Sequence, residues 1–298
     1  MKRGIGITLV IIAIGVLWYL FFKPQDYRIN VEVNSIPGTI NQSLKLWSTN
    51  LGTNSKITQN KDFNHLTQTI QVSADSTDQL EWFIESLNDS TSRIKVDVTD
   101  LQHSLGNKIQ IPFSDTDFEK RSRKTVRNFI EKLREHEKSF QITLVGNEEL
   151  LSTSCACIAI ESSQYEKAGE MMKGFPLLNT VFAQNEIQLN GLPFIKINDW
   201  NMLENRISYD FCYPIIQKDD MPFIKGVSYK SFEGGKALKA IYNGNYISSD
   251  RAWYALLDYA KKENIEVEPK PIEFFFNNPN MGGDELSWKT EVFLPLKN

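Results

Sequence analysis

The sequence predicts an α+β chain in three parts: an N-terminal transmembrane helix, an antiparallel sheet domain closed by a long helix, and a domain made of a duplicated strand-helix-hairpin unit. Three observations carry this reading. Residues 4–22 form an apolar run without a charge. Alternating strand patterns follow and end in one amphipathic helical stretch. From about residue 140 the chain repeats itself. The corresponding boundaries are 1–25, 26–139 and 140–298.

The first segment, "GIGITLVIIAIGVLWYLFF", has about the length that crosses a hydrocarbon core of roughly 30 Å. A cleaved signal peptide would have a shorter apolar region ending in small residues, whereas this one ends in Trp18, Tyr19, Phe21 and Phe22, which suit an interfacial belt. Lys2, Arg3 and the amino terminus outnumber Lys23 and Arg28 slightly, which places the N-terminus in the cytoplasm and the globular part outside it. The expected localisation is therefore a single-pass protein of a bacterial inner membrane, with its globular part in the periplasm.

In the second part, "YRINVEV" alternates as a strand and "IPGTINQSLKLW" reads as a turn and short helix burying Ile40, Leu44 and Trp47. Further strands are expected at "LTQTIQVSA", "QLEWFIESL", "SRIKVDVTDL" and "KIQIPF". A long helix then starts near Thr116, which has capping-box spacing to Glu119, and it carries Val126, Phe129, Ile130 and Leu133 on one face. Its Lys120, Arg121, Arg123, Lys124 and Arg127 are interrupted by glutamates, so they read as a solvated face before they read as a phosphate or lipid-headgroup contact.

The third part says one thing twice. Residues 185–215 and 263–296 each place an isoleucine (Ile187, Ile265) shortly before a proline (Pro193, Pro271), continue through a strand and a polar turn, and close with a strand ending in Pro214 or Pro295. Upstream of each hairpin stands a helix behind a serine pair, Ser162-Ser163 or Ser248-Ser249, whose hydroxyls are expected to cap it. Asp210 stands before Pro214 as Glu291 stands before Pro295 in "KTEVFLPL". If the halves pack about a pseudo-two-fold axis, the two carboxylates would meet across a central groove.

Other chemistry is bounded by composition. A formal net charge of −4 gives no whole-molecule basic field, so no nucleic-acid partner is expected. No P-loop, Gly-rich nucleotide fingerprint or metal set is visible, and His65, His103 and His136 all precede residue 140, so no cofactor and no histidine triad is expected in the third part. Cys155-x-Cys157 directs both sulfurs to one face of a strand. With Cys212 they read as buried small residues, the alternatives being a metal half-site or a strained redox pair.

The stretches "GLPFIKINDW…YDFCYPI", "YNGNYISSDRAWYALLDYA" and "PIEFFFNNP…LSWKTEVFLPL" resemble the GyrI-like, or AraC-type effector-binding, domain, whose two strand-helix-hairpin copies flank a ligand cleft. The chain departs from that family at "YNGNY", where members often carry a Gly-Pro-Tyr turn. Residues 27–139 more distantly resemble the SRPBCC (START-like, polyketide-cyclase-like) helix-grip fold, with a curved sheet around an apolar cavity. The GyrI-like resemblance implies a cleft glutamate on the last strand among aromatics, here Glu291, meeting amphipathic or cationic ligands.

The expectation is thus a small-molecule or lipid binder, with Glu291, Asp210, Tyr242, Tyr246, Phe293 and Trp288 as ligand-binding residues. Two alternatives stand beside it: hydrolysis of a reactive small molecule by Glu291 with Tyr242 or Tyr246, and a protein-interaction or sensor module. The sequence gives no oligomeric state.

Overall fold

A computed structural model describes residues 2–297, with side chains from residue 7 onward. The chain divides into two units, residues 1–135 and 136–298. The charges of Lys2, Arg3 and the amino terminus, on which the expected orientation rests, lie outside the described side chains.

The N-terminal apolar run is not one long α-helix. Helix α1 spans Lys2–Leu17, 16 residues, which at 1.5 Å per residue is about 24 Å. At Leu17 it passes into a π-helical turn, Trp18–Phe22, closed by the amide of Lys23 reaching back to the carbonyl of Trp18 at 3.0 Å. Among the described residues no helix is long and apolar enough to cross a membrane. This overturns the expected transmembrane helix and, with it, the single-pass inner-membrane localisation.

The first unit continues through β1 (Tyr27–Val33), α2 (Pro37–Asn50), β2 (Ser55–Gln59), β3 (His65–Ser73), β4 (Ser76–Ser86), β5 (Ser92–Asp100), α3 (Ser104–Gln110) and α4 (Asp117–Glu137). Its sheet is antiparallel in the order β1-β5-β4-β3-β2. Leu80, Trp82 and Ile84 of β4 and Ile94, Val96 and Val98 of β5 alternate inward, as a half-buried sheet requires. They meet α4, whose Val126, Phe129, Ile130 and Leu133 are all buried. Trp82 packs edge-on to Trp47 and Phe129 at 6.3 and 5.2 Å, and its indole N–H donates to Gln68 Oε1 at 3.0 Å, so the ring can be buried without an orphaned donor.

The capping box forms: the amide of Thr116 bonds Glu119 Oε2 at 3.0 Å, and the amide of Glu119 bonds Thr116 Oγ1 at 3.2 Å. "KIQIPF", expected as a strand, instead closes α3 and the turn after it. The cause lies upstream, where Asp100 Oδ1 accepts the amides of Gln102 and His103 and turns the chain out of β5.

Asp100 and Asp78 are both buried and share Arg121, which grips Asp78 through two bonds of 2.7 and 2.8 Å and reaches Asp100 at 3.3 Å. Burial alone would raise the Asp100 carboxyl, but the bonds from Ser76 and from the amides of His103 and Gln102 hold it below the usual carboxylate range. A depressed folded-state pKa contributes stability that is present above the unfolded value of about 3.9 and lost as pH falls through the folded value. The stability gap between the wild type and Asp100→Asn is therefore expected to be full at neutral pH and to close under acid. Denaturant midpoints taken between pH 7 and pH 3 check this; a gap independent of pH would refute it.

The second unit contains β6 (Phe140–Leu150), β7 (Thr153–Ser163), α5 (Lys167–Gln184), β8 (Phe194–Asn201), β9 (Arg206–Pro214), β10 (Ser228–Phe232), β11 (Gly235–Gly244), α6 (Arg251–Lys262), β12 (Ile272–Phe275) and β13 (Lys289–Pro295). They form one antiparallel sheet in the order β10-β7-β9-β8-β12-β13-β11-β6. The two copies, β7-α5-β8-β9 and β11-α6-β12-β13, join through the β8–β12 pair. One sheet face, with Ile195, Ile197, Tyr209, Phe211, Ala240, Tyr242 and Val292, packs on α5 and α6. The other carries a smaller apolar layer that includes Phe194, Phe232, Ile272, Phe293 and the three cysteines. Cys157 and Cys212, directly opposite on β7 and β9, form a disulfide, and Cys155 remains a buried thiol.

The serine pairs do not cap the helices. α5 and α6 begin behind Glu166 and Asp250, neither of which makes a side-chain cap bond. Ser163 Oγ donates to Glu166 Oε2 at 2.6 Å, and Ser249 turns inward to a buried carboxylate.

Candidate functional site

Aligning the hairpins on Pro193 and Pro271 makes Ile195 the counterpart of Glu273, and these two residues face each other directly across the β8–β12 pair. The repeat axis therefore runs between them. Aligning the helices on Ser163 and Ser249 makes Lys167 the counterpart of Trp253, and Gln164 that of Asp250. Each of these pairs also touches: Lys167 Nζ lies 4.9 Å from the Trp253 ring centroid, and Gln164 Nε2 donates to Asp250 Oδ2 at 3.0 Å. The duplication has brought equivalent positions together and then filled them with complementary groups.

Lys167 Nζ bonds both carboxylate oxygens of Glu273 at 2.7 Å, and the Ser249 hydroxyl lies 2.9 Å from Glu273 Oε2. Lys167 is 1% exposed and Glu273 fully enclosed. Burial pushes the Glu273 carboxyl up from its ordinary value, and the charge and hydrogen bonds of Lys167, with Ser249, oppose that rise. An isolated charge at this depth would cost several kcal/mol; the pairing is what makes the burial tolerable.

On the same face opens a cleft of about 350 Å³, walled by Met171 and Phe175 of α5, Phe211 and Tyr213 of β9, and Tyr246 and Phe275. The ion pair does not line the cleft but lies close behind two of its wall residues in the chain: Phe275 is two residues from Glu273 on one strand face, and Met171 is one helical turn from Lys167. Tyr246 approaches Phe275 at 4.8 Å, and its carbonyl accepts the Ser249 hydroxyl. Flexible thioethers and rigid rings with a few polar groups, here Asn179, Asn277 and Asn278, are the lining of a small-molecule site. A larger hollow of about 460 Å³ opens among Lys196, Lys236, Lys270, Glu233 and Glu268, a charged rim that suits water and ions better than an apolar body.

The six residues singled out from sequence divide between the two sheet faces. Glu291 lies on the face away from the helices, where Lys289 and Lys239 hold it at 2.7 and 3.1 Å. Burial would raise its carboxyl, but those two lysines outweigh that and keep it below the usual range. Phe293 shares this face, with Lys239 Nζ 5.2 Å from its ring centroid. So does Asp210, held by Lys230 at 2.7 Å and Asn198 at 3.1 Å. β8 and β12 separate Asp210 from Glu291, a span of roughly 14 Å at ordinary strand spacing, so the two acids do not meet.

Tyr242, Tyr246 and Trp288 lie on the helix-side face. Tyr246 and Trp288 approach at 5.7 Å. The Tyr242 hydroxyl is engaged by Asn245 and Ser248, that of Tyr246 by Asn277. Neither tyrosine is brought to Glu291, and burial pushes the Tyr246 hydroxyl up to about 12.

Sequence reasoning missed Glu273 and Lys167. The signal was present: "PIEFFF" sets a carboxylate in an apolar strand just as "KTEVFLPL" does, and a buried acid needs a partner in either case.

The family model for the GyrI-like small molecule binding domain matches residues 162–297. Among curated proteins no match was found. Similar solved structures include the EcmrR C-terminal domain, 16% identical over 53% of this chain and 98% of its own, at a TM-score of 0.45. A hydrolase from Listeria innocua is 12% identical over 55% and 98% at 0.34. SAV2435 bound to tetraphenylphosphonium is 13% identical over 53% and 94% at 0.35. On the family-model match alone, residues 162–297 are a GyrI-like small-molecule-binding domain.

Proposed function

We propose that this domain binds an amphipathic small molecule whose ring-bearing apolar body occupies the helix-side cleft, and that Glu273, enclosed behind the cleft wall, favours an organic cation. The observation that supports this most is an aromatic and thioether-lined cleft of about 350 Å³, whose wall residue Phe275 is two positions from the enclosed Glu273 carboxylate on one strand face. Aromatic faces attract a cation within about 6 Å of the ring centroid, and the attraction grows when water is excluded. Lys167 already neutralises Glu273, so the rings supply the first attraction, and the carboxylate adds selectivity only where the cation competes with Lys167 for it.

Tetraphenylphosphonium, as probe, and neutral triphenylphosphine oxide, as control, test the reading by thermal shift on the full chain. The cation is expected to stabilise the protein more than the neutral compound. Phe275→Ala should weaken its binding about tenfold, a loss of about 1.4 kcal/mol, whereas Glu291→Gln should leave it unchanged. Binding that survives Phe275→Ala and disappears in Glu291→Gln would move the ligand to the opposite face and end the proposal.

A further inference from the structure

The sulfur cluster on the open face is independent of that cleft. Cys155 and Cys157 point to one face of β7, and Cys212 stands opposite Cys157 on β9. All three sulfurs are buried and lie within 4.8 Å of one another, with Cys155 Sγ 3.4 Å from Cys157 Sγ. A zinc ion bound to thiolates at about 2.3 Å places its sulfurs about 3.8 Å apart. The Cys155–Cys157 pair is already near that spacing, and Cys212 reaches it once the disulfide is reduced.

The duplication provides an internal control. At the positions matching Cys155, Cys157 and Cys212, the second copy has Ala237, Lys239 and Phe293, with Lys239 directly opposite Phe293. The layer therefore packs without sulfur, and three cysteines in one copy call for another explanation. Asp210 offers one. It follows Cys212 by two positions in reverse along β9, on the same face, is 5% exposed, and its Oδ1 has no hydrogen-bond partner among the described residues. Asp210 lies outside the group of sulfurs within 4.8 Å of one another, so its carboxylate would have to swing toward them to complete a tetrahedral donor set.

We propose that the reduced cluster, Cys155, Cys157 and Cys212 with Asp210 as fourth donor, binds one thiophilic divalent cation of the zinc and cadmium class. Formation proceeds in two balanced steps. A small dithiol reduces the Cys157–Cys212 disulfide, giving two protein thiols and the oxidised cyclic dithiol. The cation then takes three thiolates and releases three protons. Three thiolates and the Asp210 carboxylate around a divalent ion leave two negative charges, where a monovalent ion would leave three. The Lys230 ammonium, 2.7 Å from Asp210 Oδ2, is placed to offset charge on this face. The disulfide and the metal site are alternative states of the same sulfurs, so oxidation would expel the ion.

The test uses the full chain, reduced and desalted without oxygen, and titrated with Cd²⁺. The expected result is one Cd²⁺ per chain with a sulfur-to-cadmium charge-transfer band, three protons released per ion, and no band in the oxidised protein. Cys155→Ala should lower affinity at least tenfold and release two protons. Asp210→Asn should weaken binding while keeping the band. No band in the reduced wild type, or release of two protons from it, would overturn the proposal. The wild-type proton count decides even if a cysteine variant fails to fold.

Discussion

Glu273→Gln is expected to destabilise the second unit by about 3–5 kcal/mol, the usual cost of leaving one member of a buried ion pair without its partner. The amide keeps the shape of the carboxylate, so packing barely changes. What changes is that the Lys167 ammonium, 1% exposed and bonded to both carboxylate oxygens at 2.7 Å, faces a neutral group and must lose its proton or draw in water. The double variant Lys167→Met/Glu273→Leu removes both charges together and should recover most of the loss, since an apolar pair of similar volume carries no desolvation penalty. Hydrogen exchange at the β8 and β12 amides measures both variants within this unit alone. A single-variant loss below about 1 kcal/mol would mean the pair is hydrated and not enclosed, and would remove the basis for assigning it charge selectivity.

The same pair shows what the sequence could and could not convey. The repeat was legible because turns and prolines recur in order, and Pro193 and Pro271 alone suffice to set the register. What alternation could not convey was which face points to the helices. Period-two patterning separates faces only where one of them is polar, and here both sides of the sheet are apolar, with Val292 on one and Phe293 on the other. Glu291 and Glu273 were equally visible as acids in apolar strands. Only tertiary placement separates the one held by Lys239 and Lys289 at the surface from the one sealed with Lys167. The serine pairs misled for a related reason, because a hydroxyl near a helix start serves equally to cap it or to satisfy a buried carboxylate. The N-terminal run was judged by its apolarity, while the helix it forms is limited by the change to a π-helical turn at Trp18.

Trp253→Ala should cost about 3–5 kcal/mol, in the range of large aromatic truncations in a core. The indole is fully enclosed, edge-on to Trp200 at 5.1 Å, with Lys167 Nζ 4.9 Å from its centroid. Truncation leaves a cavity beside the ion pair, takes the aromatic face from the ammonium and opens space for water next to Glu273, which weakens the electrostatics on which charge selection depends. Trp253→Phe separates these effects from plain ring loss. Nε1 of Trp253 has no hydrogen-bond partner among the described residues, and a buried, unsatisfied donor costs about 1–3 kcal/mol. Phenylalanine removes that donor and keeps a ring face toward Lys167, so its stability should fall less than half as far as that of the alanine variant. Thermal denaturation with tetraphenylphosphonium present and absent reads both consequences: alanine should lower the melting temperature and flatten the preference for the cation over triphenylphosphine oxide, while phenylalanine should preserve the preference. Equal losses in the two variants would show that the indole N–H has a partner after all, and that Trp253 anchors α6 through that bond instead of through its ring.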